Sequence, residues 1–186
     1  RSLETGRFGF GADGKDGRYE AYDDATLAAE LERPHAERLF VLRAALRRGW
    51  TVETLYSLTR IDKFFLRKMA ELVHFESEFT DAPAQLLRAK HLGYSDRQLA
   101  YLLGSTEQAV RQRRKDLGIL PVYGTVDTCA GEFTAPTPYY YSTYGEADEP
   151  VKDSQGKPRI MILGGGPNRI GQGLEFDYCC CHAAFA

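Results

Sequence analysis

No stretch of this chain approaches the roughly 18 consecutive apolar residues that suggest a membrane-spanning helix, and RSLETGRFG at its start lacks the apolar core of a signal peptide. Membrane partners are not expected, and the cytoplasm, or the mitochondrion in a eukaryote, is the expected compartment. Surplus charge is missing as well, with 24 Lys and Arg against 26 Asp and Glu. The net charge of −2 supplies no long-range field for nucleic acid, which would have to be met by a local basic patch. Cysteine is scarce, present only as Cys129 and the consecutive Cys179, Cys180 and Cys181. Three successive thiols cannot close on one another without severe strain, and no CxxC or matching histidine pair offers zinc spacing. No metal site is expected, and the cysteines read as small packing residues on a buried helix. What remains, 186 residues of which 43% are hydrophobic, is enough for one ordinary domain or two small ones. The first residue is Arg rather than Met, which suggests a segment of something longer or a processed chain.

What is present is mostly helical punctuation. The first twenty residues hold five glycines and read as loop, with a short extended stretch around Phe8 and Phe10. Asp13 and Asp16 lack the alternating oxygen ligands of a calcium loop and are expected in a solvated turn. From Asp23 to Gly118 helix signals follow one another. Asp24 is placed to cap a helix from Ala25 to Glu32, Pro34 suits the first turn of the next, and Gly49 closes that helix behind Arg47 and Arg48. Asp62 is placed to cap a longer helix with Phe65, Met69, Leu72 and Val73 on one face. Ser105 and Gln108 stand at capping-box spacing, and the helix they open runs to Gly118. No strand alternation competes, so the region is expected to be all helical.

An internal repeat lies within it. GWTVETLYSLTRIDKFFLRK aligns with GYSDRQLAYLLGSTEQAVRQ 44 residues later, pairing Gly49 with Gly93, Trp50 with Tyr94, Thr51 with Ser95, Leu55 with Leu99, Leu58 with Leu102 and Arg67 with Arg111. Each copy holds a cap, a short helix, a tight turn and a second helix, which also describes a DNA-binding helix-turn-helix. From Arg88 to Asp116 there are seven Lys or Arg against three acidic residues, the kind of charge that phosphate contacts need. Cations gathered in the last turn of a helix to complement its dipole give the same pattern. That second reading is preferred because the other copy is acidic.

Beyond Gly118 the character changes. PVYGTVDTCAGEFTAPTPYYYSTY is rich in β-branched and aromatic residues and reads as an extended segment lying on other surfaces, with Tyr139, Tyr140, Tyr141 and Tyr144 filling grooves. GEADEPVKDSQGKPR reads as a linker. Arg159 to Leu163 is expected to form a short buried strand, and GGGPNRIGQG turns the chain into a helix beginning near Leu174. The dinucleotide fingerprint fails there because Arg169 stands where the third glycine belongs. Gly166 and Gly171 have Walker A spacing, but Gln172 and Gly173 replace the lysine and the magnesium-binding hydroxyl. Glu175 and Asp177 in the first helical turn would repel a phosphate. The glycines fit either a close approach by a ligand or passage, or a plain tight turn.

PVYGTVDTCAGEF, TPYYYSTY and RIMILGGGPNRIGQGLEFDYCCCHAAFA, with RSLETGRFGFGADGKDG and LTRIDKFFLRKMAELV upstream, resemble the middle of the carbamoyl-phosphate synthase large subunit family along essentially the whole chain. The resemblance implies a mainly α fold: a helical oligomerisation domain at residues 1–120, an extended strap and linker at 121–157, and at 158–186 the first β-α unit of a truncated α/β pre-ATP-grasp domain. It implies a ligase parent that makes carbamoyl phosphate from bicarbonate, glutamine-derived ammonia and two ATP with magnesium or manganese, for arginine or pyrimidine biosynthesis. The implied partners are the flanking ATP-grasp halves of the same chain, a glutaminase small subunit, and further copies in a homo-oligomer. Nucleic acid and membrane are not among them. By the same resemblance the glycine turn borders a carbamate passage, with Gly173 nearest, then Gly171, Arg169 and Asn168. No catalytic, cofactor-binding or metal residue is expected in this segment, which should neither turn over nor bind ATP tightly alone. Faces bearing Phe64, Phe65 and Phe75 cannot all point into one small bundle, so association is expected.

Overall fold

The computed structural model describes residues 5–133, 139–145, 156, 158, 160–163, 182, 183, 185 and 186. The chain divides into two units, Arg1–Glu149 and Pro150–Ala186. The first carries helices α1 (Gly17–Glu20), α2 (Asp24–Glu32), α3 (Arg38–Arg47), α4 (Val52–Thr59), α5 (Lys63–Glu78), α6 (Pro83–His91), α7 (Asp96–Leu103) and α8 (Glu107–Asp116), then strands β1 (Val122–Val126) and β2 (Tyr139–Thr143). The fold is mainly α, with one small two-stranded sheet among the described residues.

The helix starts differ in detail from the sequence expectation. Asp23 rather than Asp24 caps α2, accepting the Thr26 N–H at 2.8 Å, because the cap needs extended backbone and Asp24 is already helical. Pro34 lies ahead of α3, whose first turn follows a bend in which the Arg38 N–H donates to the His35 carbonyl. The capping box forms at Ser95 and Gln98, not at Ser105 and Gln108; Thr106 caps α8 by accepting the Ala109 N–H. Asp62 caps α5 as expected, accepting from Phe64 at 2.7 Å. On α5 the buried positions are Leu66 and Phe75, with Met69 and Val73 partly covered, whereas Phe65 is exposed.

The 44-residue repeat becomes two three-helix units, α3–α4–α5 and α6–α7–α8. Gly49 and Gly93 close the leading helices with φ of +83° and +89°, and behind them the Trp50 and Tyr94 N–H groups reach back to the Ala45 and Ala89 carbonyls. Thr51 and Ser95 then cap α4 and α7. The tight turns carry Arg60 at φ +57° and Gly104 at φ +60°. Each unit has its own core. Leu42, Ala45, Leu55 and Leu66 belong to the first cluster, and their repeat counterparts Leu86, Ala89, Leu99 and Val110 belong to the second.

The segment after Gly118 pairs with itself rather than lying as a single strap. β1 and β2 run antiparallel with Val122 opposite Thr143 and Gly124 opposite Tyr141. A Cβ on Gly124 would meet the end of the exposed Tyr141 ring at 2.7 Å, so a larger residue there would have to turn that ring aside. Tyr139, Tyr140 and Tyr141 are exposed instead of filling grooves, and Tyr144 alone of the four packs against the second core.

In the second unit the strand expected at Arg159 to Leu163 does not appear. Residues 160–163 are described, carry no strand and are exposed, Leu163 at 88%. A strand persists only beside a hydrogen-bonded neighbour, and none stands next to these residues among those described. The glycine turn, the helix expected near Leu174 and Cys179, Cys180 and Cys181 lie outside the described residues. No helix among the described residues is long and apolar enough to cross a membrane, and no metal-binding group of side chains occurs among them.

Candidate functional site

Asn168, Arg169, Gly171 and Gly173 lie outside the described residues. What the described residues bring together is a buried ionic clasp, a second ionic group inside α6–α7–α8, and an exposed aromatic face.

The clasp begins in the glycine-rich loop. Arg7 Nε lies 2.8 Å from Asp13 Oδ2, and the same carboxylate accepts the backbone N–H groups of Phe8 and Lys15. Arg7 also pairs with Asp16 and lies 4.2 Å over the Phe40 ring. Arg43 on α3 takes up Asp16 Oδ2 at 3.2 Å and Glu76 Oε1 on α5 at 2.8 Å. The Tyr94 hydroxyl, from the second repeat, sits 3.0 Å from both Glu76 Oε1 and the Leu72 carbonyl. The expected solvated turn is therefore wrong, since the Asp13 side chain is completely buried. Its cations come from 6 and more residues away, which no local pattern announces.

Electrostatics in the clasp follow from this geometry. Burial opposes ionisation of Asp13, but the bonds from Arg7, Phe8 and Lys15 outweigh it and hold the carboxyl below its ordinary range. Burial likewise disfavours the Arg43 charge, and Glu76 and Asp16 more than compensate, so that guanidinium is held firmly charged. Burial, with the Glu76 carboxylate beside it, pushes the Tyr94 phenol far above its usual value. These groups are set to hold segments together, not to exchange protons near neutral pH.

Two glycines let the loop fit. A Cβ on Gly11 would lie 2.4 Å from Arg43 Nε, and one on Gly9 would lie 2.6 Å from Gln98 Nε2. Gln98 Nε2 donates to the Gly11 carbonyl at 2.7 Å, and the Arg97 guanidinium stacks 3.8 Å from the Phe8 ring centre. The loop is thereby gripped by the first repeat through Arg43 and by the second through Arg97 and Gln98.

The second ionic group is Asp96, held by Lys90 at 3.0 Å and by Arg114 at 2.9 Å. Lys90 also donates to the Tyr94 carbonyl and Arg114 to the Ile119 carbonyl, closing the turns after α6 and α8. Burial raises the Asp96 carboxyl, yet Arg114 and Lys90 reverse that and leave it below its ordinary range. Shifted by 44 residues, the same three positions in the first repeat are Leu46, Val52 and Ala70, all in or against its apolar core. The second repeat has put a charged trio where the first has hydrocarbon.

Part of the basic patch is taken up within the fold. Lys90 and Arg114 are buried in pairs with Asp96, while Arg88 stacks on Phe75 and Arg97 on Phe8. The two buried cations are not available to phosphates, whereas Arg88, Arg97, Arg111, Arg113 and Lys115 are exposed.

The aromatic expectation divides. Phe75 is buried against Phe79 and Tyr94, at ring distances of 5.5 and 5.6 Å. Phe64 and Phe65 are 55% and 56% exposed and pack edge to face against each other at 5.4 Å. Tyr56 stands nearby in sequence on α4 with Arg60 and Lys63 over its ring.

Comparison with known proteins gives this helical arrangement a place. A family model described as the carbamoyl-phosphate synthetase large chain, oligomerisation domain, matches residues 1–118. The chain belongs to the carbamoyl-phosphate synthase large-chain family. A second model of the same enzyme, described as the carbamoyl phosphate synthase preATP-grasp domain, matches residues 156–186. The carbamoyl phosphate synthase large chain of a Nostoc species is 51% identical over all of this chain and 17% of its own length. That of a Synechocystis species is 53% identical over the same shares, and that of Archaeoglobus fulgidus 48% identical over all of this chain and 18% of its own length. This family segment thus spans less than a fifth of the curated relatives it matches. The helix-turn-helix reading finds no support: the family model that covers the repeat is an oligomerisation domain.

Proposed function

We propose that this chain is the connecting and assembly segment of a carbamoyl-phosphate synthase large chain, set between two ATP-grasp halves of one polypeptide. The parent, a ligase, makes carbamoyl phosphate from bicarbonate, ammonia released from glutamine by a small subunit, and two ATP with magnesium or manganese. Residues 1–120 associate copies of the chain, residues 121–157 form the connection, and residues 158–186 open the second half. The observation that carries this reading is the order of the two family matches, an oligomerisation domain followed by a preATP-grasp domain, along a chain about half identical to its relatives. The buried pairs support it too, since each cation in the clasp answers a carboxylate and none is left poised for chemistry.

The segment by itself neither turns over nor binds nucleotide tightly. Isothermal titration with Mg-ATP is expected to give no saturable heat at micromolar concentration, and a saturable heat there refutes the assignment. Sedimentation is expected to show concentration-dependent association; a strict monomer at high concentration counts against assembly. By resemblance, Gly173, with Gly171, Arg169 and Asn168, borders the carbamate passage of the parent. A bulky side chain there, Gly173→Phe in the full-length chain, is expected to stop carbamoyl phosphate formation while bicarbonate-dependent ATP hydrolysis continues.

A further inference from the structure

Between the two repeats lies a cleft of about 540 Å³, open to solvent, that neither core fills. Leu46 and Trp50 of the first repeat, Val73 on α5, and Tyr101 and Leu102 of the second line it with hydrocarbon and aromatic rings. Pockets for small molecules combine such walls with a few placed polar groups in roughly 300–1,000 Å³. The two charged groups buried most deeply in its lining, Arg43 and Glu76, are 3% and 7% exposed and answer each other. They give the cleft a neutral polar floor.

The hydrogen bonds left unmade in this lining are donors. Trp50 is the chain's only tryptophan, and its indole N–H meets no acceptor among the described residues. Its repeat counterpart Tyr94 instead spends its hydroxyl on the Leu72 carbonyl and Glu76. The Tyr101 hydroxyl likewise has no partner among the described residues, and the first repeat has a small serine, Ser57, at the matching position. Arg47, also in the lining, gives only Nη1 to Glu20 in an exposed pair, so Nε and Nη2 keep their capacity. His74 faces Glu78 at 3.4 Å in a second exposed pair. The one carboxylate in the lining is Glu76, which Arg43 and Tyr94 already occupy.

We propose that the cleft between the repeats binds a small aromatic carboxylate, its ring against Trp50 and Tyr101 and its carboxylate on Arg47. Aromatic walls favour a planar ring, and the open fork of a guanidinium matches the two oxygens of a carboxylate. A cationic ligand would oppose Arg47 and find no carboxylate to meet it, and a neutral one would leave the fork unfilled. Glu20 has to yield Arg47 to the ligand, which an exposed pair allows. The walls come from both repeats, so the bound molecule also fixes one repeat against the other. This inference does not depend on the chain being part of a longer ligase.

The test irradiates the intact protein in the presence of 4-benzoylphenylacetate, an aromatic carboxylate that cross-links where it binds, and locates the label by digestion and mass spectrometry. Saturable label is expected on the peptides that carry Trp50 or Tyr101, falling about tenfold in Arg47→Gln, as loss of a hydrogen bond to a charged group implies. Excess 3-phenylpropionate is expected to suppress this label. The same ring without the negative charge, as 3-phenylpropionamide or 3-phenylpropylamine, is expected to leave it in place. No saturable label on these peptides, label undiminished in Arg47→Gln, or equal suppression by all three competitors overturns the proposal. Circular dichroism checks that Arg47→Gln keeps its helices, and the comparison of competitors, made on the unaltered protein, decides the matter if it does not. Tyr101→Ser, which copies the first repeat, is expected to keep its helical content and to lose label; full labelling of that variant counts against the ring's placement and overturns the site as drawn.

Discussion

Gln98 on α7 donates to the carbonyl of Gly11 at 2.7 Å across 87 residues of sequence, and on the other side of that loop Arg43 lies where a Cβ on Gly11 would stand. One backbone position is thus held between the two repeats. The glycine-rich loop ties the repeats together, by ion pairing to Arg43 of the first and by Gln98 and Arg97 of the second.

Removing Arg43 should expose how much this tie carries. Arg43→Met leaves the buried Glu76 carboxylate without its cation and Asp16 with Arg7 alone, and losing one partner of a buried pair costs about 3–5 kcal/mol. Urea unfolding of the segment is the measurement, and a loss below about 1 kcal/mol would mean that water replaces the guanidinium freely.

Gly11→Ala should destabilise without altering any charge. The new methyl would stand 2.4 Å from Arg43 Nε at a backbone φ of +130°, so the paired side chain must move. A cost of about 1–3 kcal/mol is expected from strain of this kind. Thermal unfolding followed by circular dichroism checks it, with Gly6→Ala, where no atom lies within 4 Å, as the comparison.

The Asp96 trio gives a prediction of opposite signs. Asp96→Val alone strands Lys90 and Arg114 and should cost about 3–5 kcal/mol. The triple variant Lys90→Leu/Asp96→Val/Arg114→Ala copies the first repeat, and should recover most of that loss or exceed the parent, as buried pairs replaced by hydrocarbon often do. A triple variant less stable than the single one, in denaturant unfolding, would show that the donations to the Tyr94 and Ile119 carbonyls outweigh the ion pairs.

Acid should loosen the segment within a defined window. Asp13 and Asp96 are held below their ordinary range in the folded state, so their contribution is complete above the unfolded value of about 3.9. It declines as pH falls below that value and is gone once pH passes beneath the depressed native values. Stability measured from pH 7 downward should therefore stay level with respect to these two groups until about pH 4 and then fall. The Asp96→Val/Lys90→Leu/Arg114→Ala variant should fall less steeply.

Much of the helical part was legible because its signals are local. Thr51, Ser95, Gly49, Gly93 and Asp62 act through hydrogen bonds to neighbours two to five residues away, and the 44-residue repeat shows its cap residues directly. Where two cap residues compete, as at Asp23 and Asp24, only the backbone angle decides. The buried face of α5 is not legible in its sequence because that helix serves two cores. Leu66 and Met69 point to the first and Leu72 and Phe75 to the second, so no single stripe describes it. The candidate site was less legible. Arg43 and Glu76 are ordinary surface-type residues in sequence, and nothing near them marks them as buried.

The amino-acid sequence alone determined the helical class, the repeat, the positions of most caps and the family, because each of these rests on residue types at short, fixed spacings. Tertiary structure alone decided which charges go inside. Asp16 meets Arg43 and Arg43 meets Glu76 across 27 and 33 residues, and Asp96 stands where the other repeat has valine. A buried ion pair is stable only when both partners and their remaining hydrogen bonds arrive together, and that depends on how distant segments pack rather than on any pattern within one of them.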